Sequence, residues 1–446
     1  MPRKKSDIGN IWLESIYATV FILLFMALLQ EGTKHVNLDG FDAIGQALAD
    51  LEITDYTFSE LRDTVPPDNN VVIVNFGPLG RGGIAEQIRI IDKYKPKVIG
   101  IDSFFKGYGS DTLATLSLAS AIANANAEIV MVAKIDQTDS LKEAVEEGEE
   151  IFDFWYKSDS IFIENVHFGM ANLDTQAEFQ EDIKICRAFP RIRTTIKDEE
   201  SYIAFGAKMA VLYDSTKLET YLKRKNDYEV VNFRGDIFLS PFYYDEIYGT
   251  FTERRMEDKY MRYEALDWDQ VMNEDFAPEM VEGKIVLFGY LGNQLGAPQW
   301  EDKFFTPLNS KIAGRANPDM YGPVIHANII SMVLNDDYIN GFNSFIEGLI
   351  GIGLLYINVY FFSIIYIRMG AWYDGITKLI QIVEIIVLTI FVIFIFSKYS
   401  FKLELAIAFF GIALVGDLLE IYFGVIKNVI NKNTWNKLIT LGFKKE

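Results

Sequence analysis

Four apolar runs, one at the start of the chain and three at its end, each reach the roughly 20 residues that carry a helix across a bilayer. They are Ile11 to Gln30, Phe345 to Ile367, Ile376 to Phe396 and Phe401 to Ile426. Lipid offers no partner for backbone N–H and C=O groups, so an apolar run of this length is committed to helix. Residues 31–340 lie between the first run and the second and read as a globular domain. Residues 1–10 and 427–446 are left as short flanks.

Positive charge sets the expected orientation. Arg3, Lys4 and Lys5 precede the first run, which places residues 1–10 in the cytoplasm. Four crossings return the tail to the same side, and it carries Lys427, Lys432, Lys437, Lys444 and Lys445. Arg368, between the second and third runs, agrees; Lys398 and Lys402, in the outer turn, are discordant. A cleaved signal peptide is the rival reading of the first run. That run is longer than an ordinary signal-peptide core and no A-x-A-like site follows Leu29, so an uncleaved anchor is expected.

Residues 31–340 hold 30 basic and 53 acidic side chains, a net of −23 against −20 for the whole chain. Such a domain repels phosphate, which argues against nucleic acid and anionic headgroups as its partners. The single cysteine, Cys186, allows no internal disulfide. Three histidines and one cysteine are too few for an ordinary zinc site, and no loop has the calcium-binding EF-hand spacing. No metal or cofactor is expected.

Short apolar runs without alternation predict strands covered on both faces: Val71 to Phe76, Lys97 to Asp102, Glu128 to Ala133, Glu229 to Phe233 and Lys284 to Tyr290. Helical spacing predicts helices over Gly83 to Lys95, Thr112 to Asn124 and Tyr202 to Leu212. The expected class is therefore α/β, a layered domain with a mostly parallel or mixed central sheet, plus four transmembrane α-helices. Residues 135–200 and 235–280 are too polar and aromatic to assign. The glycine-rich turn Gly77 to Gly83 lacks a following Gly-Lys-Ser/Thr and misses the G-x-G-x-x-G spacing, so it reads as a turn with one exposed Arg81.

The segments NNVVIVNF and KPKVIGIDSFF, the central YEVVNFRGDIFLSPFYYDEI, and the closing EGKIVLFGYLG, DKFFTPLN and MYGPVIHANIISMVLNDDYI resemble the type-two CHASE domain in content and order. The resemblance covers residues 31–427, including the three helices that follow at once. It implies a bacterial extracytoplasmic sensor module, here periplasmic on an inner-membrane anchor. The family's usual acidic residue is replaced by Asn75, which weakens a charge-dependent ligand site at that point. Such modules usually feed a cytoplasmic kinase or cyclase. The 20-residue flank after the last run is too short to fold as one, so the output is expected on a separately encoded partner.

In open α/β sheets ligands bind beyond the carboxyl ends of strands, which singles out Asn75, Asp102 and Ser103. Asp102 is either part of a ligand pocket or a cap on the following turn. Asp302, Thr306 and His326 lie in the closing section that most resembles the family. His326 either pairs with Asp302 as a joint that titrates near neutral pH, or is a neutral buried ring. No G-x-S-x-G elbow or nucleophile–base pair occurs, so no enzyme activity is expected.

Inside the lipid the unusual residues are acidic: Glu384 on the third run, Asp417 and Glu420 on the fourth, with Glu14 entering the first. With no lysine or arginine expected at their depth, Glu384 and Asp417 are expected to touch each other or a basic partner subunit. Gly348, Gly351, Gly353, Gly411 and Gly416 suggest close helix packing. The tail from Lys427 reads as a short amphipathic helix on the inner surface. The leading expectation is a sensory or regulatory subunit, perhaps homo-oligomeric by sequence pattern alone; the alternative is a structural subunit of an envelope assembly, using the external domain as a docking platform.

Overall fold

A computed structural model of the chain describes residues 11–34, 55, 57–61, 68–144, 150–175, 184–197, 199–237, 242–245, 250–253, 261–297, 302–309, 317–369 and 372–427. The chain divides into two compact units, Met1–Thr54 with Asn340–Glu446, and Asp55–Ile339. The principal helices are α1 (Ile11–Lys34), α2 (Arg81–Lys93), α3 (Thr112–Ala123), α4 (Phe205–Tyr213), α5 (Trp268–Met272), α6 (Gly322–Leu334), α7 (Ser344–Met369), α8 (Tyr373–Tyr399) and α9 (Ala406–Ile421).

The Asp55–Ile339 unit is built on an eight-stranded mixed sheet. Its strands are β1 (Val71–Asn75), β2 (Val98–Ile101), β3 (Glu128–Asp136), β4 (Phe154–Tyr156), β5 (Val166–Met170), β6 (Asp236–Ile237), β7 (Met261–Leu266) and β8 (Ile285–Gly289). The order runs β6-β7-β1-β8-β2-β3, all parallel, and β5 continues parallel beside β3. Only β4 runs antiparallel, against the end of β3. Every residue of β1, β2 and β8 is buried, which is why these strands read as unbroken apolar runs.

Val72, Val74, Ile99, Ile101, Val286 and Phe288 face α2, α3 and α5 on one side. The alternate residues face the other layer, where Gly100 lies under Met209 of α4 and Gly289 under Pro323 of α6. Three layers around one sheet follow from strands that have no wet face.

Four of the five expected strands are central. The fifth is corrected: Tyr228–Val230 pairs antiparallel with Ala188–Pro190, outside the central sheet. Its Glu229 is buried because Arg224 grips it with two hydrogen bonds, 2.6 and 2.7 Å. Burial there comes from a salt bridge and loops rather than from two covering layers. The sheet positions are taken instead by β5 and β7, from the stretches whose polarity hid them. Arg81, expected to be exposed, is half-buried. Its guanidinium donates to the carbonyls of Lys106 and Gly107 at 2.6 and 2.7 Å and to Thr115 Oγ1 at 2.8 Å, pinning the loop after β2.

The other unit holds α1, α7, α8 and α9, four helices long and apolar enough to cross a membrane. Ala18 and Ile22 of α1 pack with Leu355, Val359 and Phe362 of α7 and with Val415, Leu418 and Leu419 of α9. The chain is thus an α/β domain joined to a membrane-spanning set of helices. Close packing through glycine holds at Gly351 against Ile407, Gly411 against Leu355 and Gly416 against Gln381; Gly348 and Gly353 face open space. The expected tail helix lies outside the described residues beyond Lys427.

Candidate functional site at the carboxyl edge of the sheet

β1 ends in Asn75, paired in register with Gly289 at the end of β8. The Asn75 side chain is fully buried. Its Nδ2 donates to Asp267 Oδ1 at 2.8 Å and to the Gly292 carbonyl at 2.9 Å. Its Oδ1 accepts from the backbone N–H of Gly77 at 3.0 Å and of Leu291 at 2.8 Å. Two donors and two acceptor positions are the whole capacity of an amide, so nothing remains for a ligand. Asp267 in turn caps α5 in a capping box with Gln270. Gly77 turns at φ +58°, and a Cβ there would strike the Trp268 ring. Asn75 is therefore a clip that ties β1, the loop after β8 and the start of α5 together.

Asp102, one residue past β2, stands differently. Its backbone N–H extends the sheet to the Phe288 carbonyl at 2.8 Å, while its half-buried side chain points to the mouth of the edge. Burial, reinforced by the charge of nearby Asp302, pushes its carboxyl up from 3.8 to about 7. Asp302 is exposed, with a left-handed φ of 60°. Gly322, the first residue of α6, lies beside the Asp102 carboxylate, and a side chain there would press on Oδ2. Ser103 follows, half-buried, at the same mouth.

The rim continues through residues that the sequence reading did not single out. Asp236 opens β6, and Asp319 precedes the short strand Met320–Tyr321 that pairs with Lys303–Phe304. Burial raises Asp236 to about 6, opposed by the Ile237 N–H and the Lys303 charge. Burial also raises Asp319 to about 7, against three donors: the Thr306 N–H at 2.9 Å, the Thr306 hydroxyl at 2.5 Å and the Asn309 amide at 3.2 Å. Asp236 and Asp319 act on each other, and the Lys303 ammonium lies 4.6 Å from the centre of the Tyr321 ring. Thr306 is thus occupied by Asp319. Asp236 lay within the quoted central segment; its place directly after a buried Arg-Gly turn was the available signal.

His326 is buried within α6, its ring edge-on to Phe205 at 5.2 Å. Burial alone acts on it and holds the ring near 4, so it is neutral. The expected Asp302 partner faces Asp102 instead. Neighbouring Asn328 is the polar anchor of the helix: its Oδ1 accepts from the N–H groups of Arg234 and Gly235 at 2.7 and 3.2 Å, and its Nδ2 donates to the Gly235 carbonyl at 2.9 Å. That grip fixes the turn presenting Asp236. Among the described residues, no group of three His, Cys, Asp or Glu side chains is placed to hold a metal ion.

The membrane acids are also corrected. Glu384 Oε2 accepts from Asn358 Nδ2 of α7 at 2.8 Å, and Asp417 pairs with Lys378 of α8 at 2.6 Å. Lys378 lies inside the third run, and its long stem lets its ammonium reach across to α9. Glu14 pairs with Lys427 at 2.8 Å. Glu420 is exposed.

With this geometry in place, comparison with known families gives one match: the CHASE2 domain, over residues 20–360. The match covers most of the chain, which belongs to the CHASE2 family of extracellular sensor domains. It ends within α7, short of the expected 427. Searches of curated proteins and of solved structures gave no match.

Proposed function

We propose that this CHASE2 family member is a sensory or regulatory subunit of a bacterial inner membrane, with its α/β unit in the periplasm and both termini in the cytoplasm. The acidic rim around Asp102, Asp236 and Asp319 is the input site, and it is the observation that carries the reading. These carboxyls are half-buried, held at the place where parallel sheets accept ligands, and poised to change charge near neutrality. A cationic or hydrogen-bonding signal that favours one protonation state changes the repulsion between neighbouring acids. Gly322 and Tyr321, at the start of α6, are part of the same rim, and the chain runs from α6 through residues 335–343 into α7.

The output passes to a separately encoded effector through the helices, with no catalytic step or cofactor in this chain. Glu384 with Asn358, Asp417 with Lys378, and exposed Glu420 offer polar contacts to a partner's helices. The test is gentle detergent purification of the full chain from its native membrane, with identification of what accompanies it. A stoichiometric effector with a kinase, cyclase or other signalling domain supports sensing. A stoichiometric membrane partner with no signalling domain overturns it in favour of the envelope-assembly reading.

A further inference from the structure

Helix α3 is out of keeping with the surface around it. From Leu113 to Ala127 the chain has no charged residue, in a domain that carries a net charge of −23. Asp111 caps the helix through the Ala114 N–H at 2.9 Å. Thr115, Leu118, Ala121 and Ile122 are buried toward α2 and the sheet. The opposite face presents Leu113, 81% exposed, and Leu116, 48% exposed, followed by Ser117, Ser120 and Ala123. A solvent-facing helix normally carries charge on its outer face; one that is apolar or small all round is normally covered.

We propose that this face is where two copies of the chain meet, α3 against α3, antiparallel across a two-fold axis near Ser117. Two domains of this charge repel over most of their surfaces, and the neutral face of α3 lets them touch without burying like charges. The face is also complementary to itself. Its bulky leucines occupy the first half and its small residues the second, so antiparallel copies set Leu113 and Leu116 of each over Ser120 and Ala123 of the other. A two-fold interface needs that self-match. A membrane surface fits less well, since α3 has no lysine, arginine or aromatic residue to hold it there. The inference stands apart from whether the chain senses or scaffolds.

Disulfide crosslinking of the full chain in membranes tests it, because Cys186 is the only cysteine and is buried. Ser117→Cys should crosslink to a second copy, while Glu219→Cys, on an exposed helix elsewhere in the domain, should not. Adding Leu116→Asp should reduce the Ser117→Cys crosslink to the control level. Ser120→Lys, added to both, should restore it by meeting the new aspartate of the other copy. That rescue separates a broken interface from a misfolded domain. A Ser117→Cys yield no higher than Glu219→Cys overturns the proposal, as does a yield that Leu116→Asp leaves unchanged. Vesicle binding that is lost in Leu116→Asp, with no crosslink, assigns the face to lipid instead.

Discussion

Two corners of one sheet edge use polar groups in opposite ways. At the end of β1, Asn75 is buried with every donor and acceptor met by the protein. At the end of β2, Asp102 is half-buried, beside a second carboxylate, with its proton affinity raised. Both are polar residues at strand ends where an α/β sheet receives ligands. The difference shows that position nominates a site and leftover hydrogen-bonding capacity decides it. Asn75 has none left, and its neutrality is what the corner requires: a carboxylate there would face Asp267.

The strongest way to break the comparison is to make the first corner like the second. Asn75→Asp replaces the N–H that donates to Asp267 Oδ1 with an oxygen, setting two carboxyls against each other in a buried place. A loss of about 3–5 kcal/mol is expected, the usual result of an uncompensated buried charge. Asn75→Ala should cost less, on the order of 2–3 kcal/mol, by leaving the Gly77 and Leu291 N–H groups unmet. Denaturant unfolding of the purified full chain measures both. Unfolding midpoints equal to that of the native chain would show that Asn75 is not a clip and reopen it as a ligand group.

The second corner should respond to pH rather than to truncation. A carboxyl raised in the folded state holds a proton that the unfolded chain has released, so stability falls as pH rises between the two values. For Asp102 that window runs from 3.8 to about 7, and the loss levels off above it. Asp102→Asn should therefore stabilise the protein at pH 8 and change little at pH 4. Thermal unfolding across this range checks the sign. Stabilisation that is equal at both ends would mean Asp102 is ionised throughout, and the rim would not be a titrating site.

Much of this was legible before the structure. β1, β2, β3 and β8 announce themselves because burial on both faces forces unbroken apolar runs. β7 was hidden because its sequence, MRYEAL, carries Arg262 and Glu264, and β5 because VHFGM mixes polarity at the sheet's last position. The site was half legible. Asp102 follows from a topological rule, whereas Asp236 and Asp319 reach the rim through loops with no period to read. Lys378 was overlooked because a cation inside an apolar run looks like part of its flank.

His326 supplies the finest test, since it separates the rim from the helix that begins there. Its ring is held near 4 by burial alone, so it favours the folded state when neutral. That contribution is complete above 6.5 and is lost as pH falls from 6.5 through about 4, opposite in sign to the contribution of Asp102. Between pH 6.5 and 8 the histidine should be silent. His326→Asn should lower stability by a similar amount across that interval, through lost packing against Phe205. It should also remove the acid-side loss below 6.5. Near-neutral pH dependence then belongs to the carboxyls, and the double variant with Asp102→Asn should match Asp102→Asn in slope above 6.5. A change of slope there on altering His326 alone would mean that the ring titrates with the rim, making α6 itself part of the pH response.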